Sequence, residues 1–197
     1  MSKEMPDRKS LIIAASLLVL LIILVVVFFS LGTRKSVELA TSSLLSNPDV
    51  DSSHPHAVKT ITLFFLSEKD GLLHSEERDI LESPSISLMG RQLVEELLIG
   101  SKNGLICPFP SETKLREFYL TEEGHAYVDF SREIREEHPF GSEADIATVY
   151  SCVNSLTHNF SVIKLVSILI DGRESQTLGG HVDLTRPFVF RKDLIAK

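Results

Sequence analysis

Histidines are the residues of this 197-residue chain with the widest range of possible chemistry, and there are seven of them. They lack the spacing of zinc ligands on one helix or strand. His54 and His56 are close, but their polar segment offers no third ligand, so no metal site is predicted. His181 follows the Gly179–Gly180 turn, which exposes the side chain after it. The preferred interpretation is nevertheless a loop histidine that bonds to the backbone.

Adjacent carboxylates are the second candidate, as in Glu76 with Glu77 and Glu95 with Glu96. Neighbouring residues on a strand or helix point in different directions and cannot flank one scissile bond. We therefore expect these carboxylates to be solvated and predict no catalytic residue. The sequence also has no Gly-rich phosphate loop, Gly-x-Ser-x-Gly elbow or Cys-x-x-Cys pair, so no cofactor is expected.

Two polar positions fall within one amphipathic helical pattern. Cys152 is expected to pack there as a small apolar group; pairing with Cys107 is chemically possible in an oxidising compartment, but spacing does not establish it. Asn154 lies among apolar neighbours. A buried amide needs polar partners, so we expect Asn154 to tie its helix to the sheet or a loop.

The elements that position these residues follow from hydrophobic periodicity. Strands are predicted at 59–66, 72–78, 114–120, 125–130 and 164–170, with a short terminal strand within 176–184. In the second strand Glu76, Glu77 and Arg78 are expected to face solvent. Apolar stripes predict one helix after Ser83–Ser85, ended by Gly100, and another opened by Gly141–Ser142, with Ser142 and Asp145 resembling a capping box. This order predicts an α+β fold in which two helices pack on one face of a small mixed sheet.

One transmembrane helix is predicted before this fold. Residues 11–31 form an apolar run broken only by Ser16 and Ser30, and 21 helical residues rise about 31 Å, close to the hydrocarbon thickness of a bilayer. No small-x-small cleavage pattern or lipobox cysteine follows, which favours an uncleaved anchor. The predicted divisions are a cytoplasmic tail (1–10), the transmembrane helix (11–32), a flexible stalk (33–57), one globular domain (58–190) and a C-terminal tail (191–197).

Charge indicates the orientation and the classes of partner. Three basic residues precede the apolar run and two follow it, which places the N-terminus in the cytoplasm and the domain outside the inner membrane of the cell. From residue 36 onward there are 25 acidic and 15 basic residues. An acidic surface disfavours nucleic acid as a partner.

Collinear segments of the globular part resemble the GerMN domain family. They are 61–78, 94–100 with 104–105, 126–131, 141–144, 150–157, 170–172 and 177–184. The family-motif positions, for which a structural or interaction role is expected, are Gly141, Ser142, Glu143, Asn154, Asp171, Gly172, Gly179, Gly180 and His181.

The resemblance implies a noncatalytic, extracytoplasmic domain, similar in outline to ring-building modules that assemble edge to edge. We expect a binding or assembly module in a cell-envelope complex related to peptidoglycan or to sporulation and germination. Its expected partners are envelope proteins or peptidoglycan, with self-association possible. The alternative is a cell-envelope hydrolase that acts on peptidoglycan and uses His181. GerM-like sporulation proteins carry a lipobox cysteine and two domains, whereas this chain has one predicted domain and a transmembrane helix, so a sporulation role is not carried over.

Overall fold

The computed structural model describes residues 57–139 and 141–197, all within one unit of the chain. The predicted cytoplasmic tail, the transmembrane helix at 11–32 and nearly all of the predicted stalk lie outside the described residues. Among the helices that are described, none has the length and apolar character needed to cross a bilayer.

The first sheet is an antiparallel pair, β1 (Val58–Leu66) and β2 (Leu73–Leu81). Side chains alternate across the pleat, and Ile80 lies on the buried side with Glu76 and Arg78. The prediction that Glu76 and Arg78 face solvent is therefore wrong. Glu77 on the opposite face is exposed, as expected.

Helix α1 (Ile86–Ile99) follows the first sheet and begins and ends at the predicted signals. The Ser85 hydroxyl caps its start by accepting a hydrogen bond from Leu88 N at 3.3 Å. Gly100 ends it with a φ of 91°, a backbone conformation that glycine adopts without steric cost. Leu93, Val94 and Leu97 on the inner face are fully buried.

The second sheet contains β3 (Leu115–Leu120), β4 (His125–Phe130) and β5 (Leu165–Ile170), in the order β3-β4-β5. Strand β3 is antiparallel to β4, while β5 is parallel to it. The α+β class and the mixed sheet are confirmed, but the strands form two sheets rather than one.

Two helices connect β4 to β5. The short α2 (Glu133–Glu136) lies in a segment expected to be a polar loop, and the long α3 (Ser142–Asn159) supplies the crossover needed before a parallel strand. The residue preceding α3 is Gly141, and no side chain caps this end. The capping role expected of Ser142 and Asp145 is thus wrong. Helices α1 and α3 contact each other and both sheets.

The core is one apolar cluster formed by both sheets and both long helices. Its largest fully buried side chains include Phe65, Phe130, Ile61, Leu63, Leu93, Leu97, Leu156 and Ile168. The cluster also contains Leu178 and Leu184 from the segment after β5. Burial of this apolar surface provides the main driving force for the fold.

A row of polar side chains on α3 covers the outer edge of β1 at Thr62 and Phe64. The Ser151 hydroxyl donates to Phe64 O at 2.6 Å, and Ser155 Oγ accepts from Phe64 N at 3.0 Å. One turn further along α3, Asn159 accepts from Thr62 N at 2.8 Å and donates to Thr62 O at 2.6 Å. Because these residues are four apart, they lie on one face of the helix. They satisfy backbone groups that would otherwise be free at a sheet edge.

The C-terminal segment departs from the predicted terminal strand. Between 176 and 184 there is an isolated antiparallel bridge, Thr177 with Asp183, and no strand is formed. Residues 191–197, predicted to be a tail, pack on the domain. A 3₁₀ turn covers Lys192–Leu194, and Ala196 N donates to Leu73 O at 2.9 Å.

Candidate functional site

Asp145, in the first turn of α3, is a completely buried carboxylate that holds a loop 34 residues further along the chain. Its Oδ2 accepts hydrogen bonds from the backbone N–H groups of Gly179, His181 and Val182, at 3.0, 3.1 and 3.3 Å. Three backbone donors thus satisfy one oxygen of this buried side chain. Asp145 therefore anchors the segment after β5 to the start of α3.

This contact brings two groups of family-motif positions together. Gly141, Ser142 and Glu143 lead into Asp145 along the chain, while Gly179, Gly180 and His181 form the loop that it binds. A Cβ atom added to Gly179 would lie 2.4 Å from Asp145 Oδ1, so only glycine fits without a shift. Ser142 and Glu143 are exposed beside this contact.

The second oxygen of Asp145 lies beside a buried histidine. Asp145 Oδ1 is 3.4 Å from His138 Nδ1 and has no hydrogen-bond partner among the residues described. His138 Nδ1 is 2.7 Å from Pro139 O, which can only accept, so this nitrogen carries a hydrogen. His138 Nε2 is 2.9 Å from the Thr148 hydroxyl, which itself donates to a main-chain carbonyl, that of Pro108, at 2.6 Å. The network links the residues before α3 to the loop after α1.

His181, the histidine singled out as a candidate for chemistry, has a half-exposed ring. Its Nδ1 is 3.7 Å from Asp145 Oδ2, the oxygen that already accepts three backbone hydrogen bonds. Within the described ranges, no hydrogen bond holds either ring nitrogen. The backbone of His181 is fixed, while its imidazole is not oriented for proton transfer.

A second cluster of motif positions lies at the end of β5. Asp129 on β4 accepts from Gly172 N at 2.8 Å and from Arg116 Nε at 3.0 Å. Arg116 also donates to Asp171 at 3.1 Å. Asp171 has a φ of 53°, in the left-handed region that Asp tolerates better than most residues. Asp129 and Arg116, which were not among the candidate positions, therefore fix the Asp171–Gly172 turn.

Asn154 is completely buried on α3 and makes a two-point contact with the chain near its C-terminus. Its side-chain amide donates to Arg191 O at 3.0 Å, and its oxygen accepts from Arg191 N at 2.9 Å. The amide pairs with Arg191 as a neighbouring strand would. This contact anchors the segment that leads into Lys192–Leu194.

Glu76, which was expected to lie on a solvated face, forms a third buried cluster. It accepts hydrogen bonds from Arg78 Nε at 2.9 Å, the Ser101 hydroxyl at 2.6 Å, Lys102 N at 3.0 Å and Asn103 N at 3.3 Å. Burial alone would raise the pKa of Glu76, but the bonds from Ser101, Lys102 and Arg78 outweigh it and lower the pKa from 4.5 to about 2.

Arg78 connects this carboxylate to α1. Its guanidinium also donates to Glu96 at 3.0 Å and to the carbonyl of Gly100 at 2.8 Å, at the end of the helix. A signal for the cluster was present in the sequence. Glu76 and Arg78 are two residues apart and in step with Ile80, so alternation places all three on one face.

The two cysteines are free thiols. Burial raises the pKa of Cys152 to about 12 and also raises the pKa of Cys107. Because the thiolate is the nucleophile, neither side chain is activated for covalent catalysis. Among the described residues, no group of three or more His, Cys, Asp and Glu side chains has the arrangement of a metal site.

A known domain family matches more than half of the chain. A family model described as "Germane: Sporulation and spore germination" matches residues 62–176. The matched region includes Asp129, Asp145 and Asn154, and it ends just before the loop that Asp145 binds. No curated protein sequence matches the chain.

Solved structures of GerMN domains share the fold of this chain. The tandem GerMN domains of the sporulation protein GerM from Bacillus subtilis match with 24% identity and a TM-score of 0.52, over 70% of this chain and 48% of that chain. The first GerMN domain of that protein matches with 22% identity and a TM-score of 0.51, over 68% of this chain and 99% of that one. The chain thus spans about half of the tandem structure.

Proposed function

The chain belongs to the Germane family of sporulation and spore germination domains, and on that premise we propose that it is a noncatalytic binding or assembly module of the cell envelope. In this proposal the predicted helix at 11–32 anchors the chain in the cell membrane. The predicted stalk then presents the domain to envelope proteins or peptidoglycan on the extracytoplasmic side. The acidic composition after residue 35 favours partners other than nucleic acid.

The observation that carries the proposal is that buried polar side chains hold the segments in which the family-motif positions lie. Asp145 accepts three backbone hydrogen bonds, Asp129 fixes the turn after β5, and Asn154 pairs with Arg191. Each side chain is directed into the fold and is occupied there by main-chain groups. These contacts build a scaffold, and in this proposal binding is left to the surface that the scaffold displays.

The rival function, a hydrolase acting on peptidoglycan, would require Asp145 to orient His181 as a general base. Asp145 Oδ2 lies 3.7 Å from that ring and is already bonded to three N–H groups. This arrangement favours the binding module. Incubating the full-length chain in detergent with purified peptidoglycan should release no soluble fragments. Turnover that disappears in the His181→Ala variant would replace the proposal with the hydrolase.

The binding function is tested by photo-crosslinking of the full-length chain in its own membrane. A photoreactive amino acid is placed singly at exposed positions such as Glu77, Tyr119 and Glu122. We expect adducts with one envelope partner, or with a second copy, from some positions and not others. A chain that gives no adduct from any position would overturn the proposal.

The location is tested separately by a membrane-impermeant amine reagent applied to cells whose cytoplasmic membrane is intact. Lysines of the domain, such as exposed Lys69 and Lys102, should react. Modification that requires lysis would contradict an extracytoplasmic domain.

A further inference from the structure

The two edges of the first sheet differ in how their backbone groups are satisfied. Thr62 and Phe64 direct their N–H and C=O groups away from β2 and towards α3. Opposed residues of an antiparallel pair share this orientation, so their partners Glu77 and Ser75 direct theirs away from β1. Asp79, two residues further on, does the same.

Both ends of this outer edge of β2 are closed. At one end Leu73 O accepts from Ala196 N at 2.9 Å. At the other, Leu81 N donates to the Gln92 side chain at 2.9 Å, and Leu81 O accepts from it at 3.1 Å. Between these two caps, within 57–139 and 141–197, the outward backbone groups of 75, 77 and 79 have no hydrogen-bond partner.

Acidic and apolar side chains predominate around the open edge, and Lys102 is a cation that lines the same cleft as Glu77 and Asp79. Glu77 and Asp79 are exposed, and neither forms an ion pair with another described residue. A cleft of about 330 Å³ runs between this edge and α1, lined in part by Leu81, Glu95 and Ile99. Leu81 and Ile99 are 53% and 67% exposed, which is unusual for large aliphatic side chains.

We propose that the outer edge of β2 binds an extended, basic segment of a partner protein as an additional strand. Ser75, Glu77 and Asp79 would supply its main-chain hydrogen bonds. Basic side chains at alternate positions would lie beside Glu77 and Asp79, and the apolar side chains between them would contact Ile99. The inference rests on the proposed binding function and names the surface and the chemistry of its partner.

A second copy of the chain fits this edge less well. Antiparallel pairing of two β2 strands about Glu77 would place two glutamates directly opposite each other, and like charges in that position are destabilising. Charge complementarity instead selects a segment that carries lysine or arginine.

The test uses the full-length chain in detergent and a fluorescent seven-residue peptide of alternating lysine and valine with blocked ends. Fluorescence anisotropy should show saturable binding, and a glutamate–valine peptide should not bind. Glu77→Pro removes one outward N–H without removing a bond to β1 and should weaken binding by about tenfold. Glu77→Gln, which removes only the charge, should weaken it less, and Glu122→Gln in the distant β3–β4 turn should leave it unchanged.

A lysine–valine peptide with N-methylated amides separates strand pairing from charge attraction without altering the protein. It should bind at least about tenfold more weakly than the parent peptide. Equal binding of the two peptides to the wild type would overturn the inference. Equal binding of the parent peptide by the wild type and by Glu77→Pro would also overturn it, provided that Glu77→Pro retains its unfolding transition. Self-association of the chain through this edge would also overturn it if the lysine–valine peptide did not displace the second copy. Photo-crosslinked adducts with an envelope protein that persist in Glu77→Pro would support the proposed function. They would show that the outer edge of β2 is not the binding surface.

Discussion

Glu76 and Asp145 are buried carboxylates that each hold a loop against the domain, but their charges are balanced differently. Glu76 has the Arg78 guanidinium beside it as well as backbone donors, whereas Asp145 is held by three backbone N–H groups with His138 nearby. Loss of the first carboxylate leaves a buried cation with one partly exposed carboxylate partner, Glu96. Loss of the second leaves N–H groups in a loop that can turn towards water. Removing the carboxylate of Glu76 and removing that of Asp145 should therefore lower the free energy of unfolding by different amounts.

The largest effect is expected from Glu76→Ala. Arg78 would remain buried with only Glu96, itself about a quarter exposed, as its carboxylate partner. Removal of one partner of a buried ion pair typically costs about 3–5 kcal/mol. The free energy of unfolding of the full-length chain in detergent, measured by urea titration, should fall by that amount. Glu77→Ala, one residue away on the exposed face, is the control and should change it little.

Acid should weaken the same cluster. The folded-state pKa of Glu76 is about 2, below its ordinary value of 4.5, so its contribution is fully present above pH 4.5 and is lost as the pH falls from 4.5 towards 2. A shift of this size corresponds to about 3 kcal/mol. The difference in unfolding free energy between the wild type and Glu76→Gln should narrow over this range. A difference that stays constant with pH would show that the charge of Glu76 does not stabilise the fold.

Asp145→Ala is expected to cost about 2 kcal/mol, because the three N–H groups lose their acceptor while two of their residues, Gly179 and Val182, remain partly buried. Hydrogen exchange of the backbone amides of Gly179, His181 and Val182 should accelerate before the rest of the domain is affected. Glu143→Ala in the same helical turn is the matched control. Unchanged exchange at these amides would contradict the role given to Asp145.

Gly179→Ala should have a smaller effect, about 1–2 kcal/mol, from the contact of the added Cβ with Asp145 Oδ1. The same substitution in the Asp145→Ala background should cost less, because the clashing oxygen is gone. Urea titration of the two single variants and the double variant measures this coupling. Additive effects would indicate that the cost of Gly179→Ala comes from its backbone alone.

The elements with regular periodicity could be predicted from the sequence, and the hydrogen-bond partners of the buried carboxylates could not. Ser85 and Gly100 delimit α1 as expected, and the β3–β4 hairpin forms at the predicted residues. Asp145 looked like a capping residue because its real partners lie 34 to 37 positions away and are backbone groups, which carry no residue-type signal. The prediction of a terminal strand was wrong because residues 176–184 bury side chains such as Leu178 but form only one isolated bridge among the described residues.

The polar row of α3 also limits any assembly built through the first sheet. A polymer that grows by strand pairing requires two free sheet edges in each unit, one for each neighbouring unit. Ser151, Ser155 and Asn159 occupy the β1 edge at Thr62 and Phe64, and they are part of a helix that also belongs to the core. Strand pairing along the full length of β1 is thus blocked, which opposes the growth of a continuous cross-β polymer through both edges of this sheet.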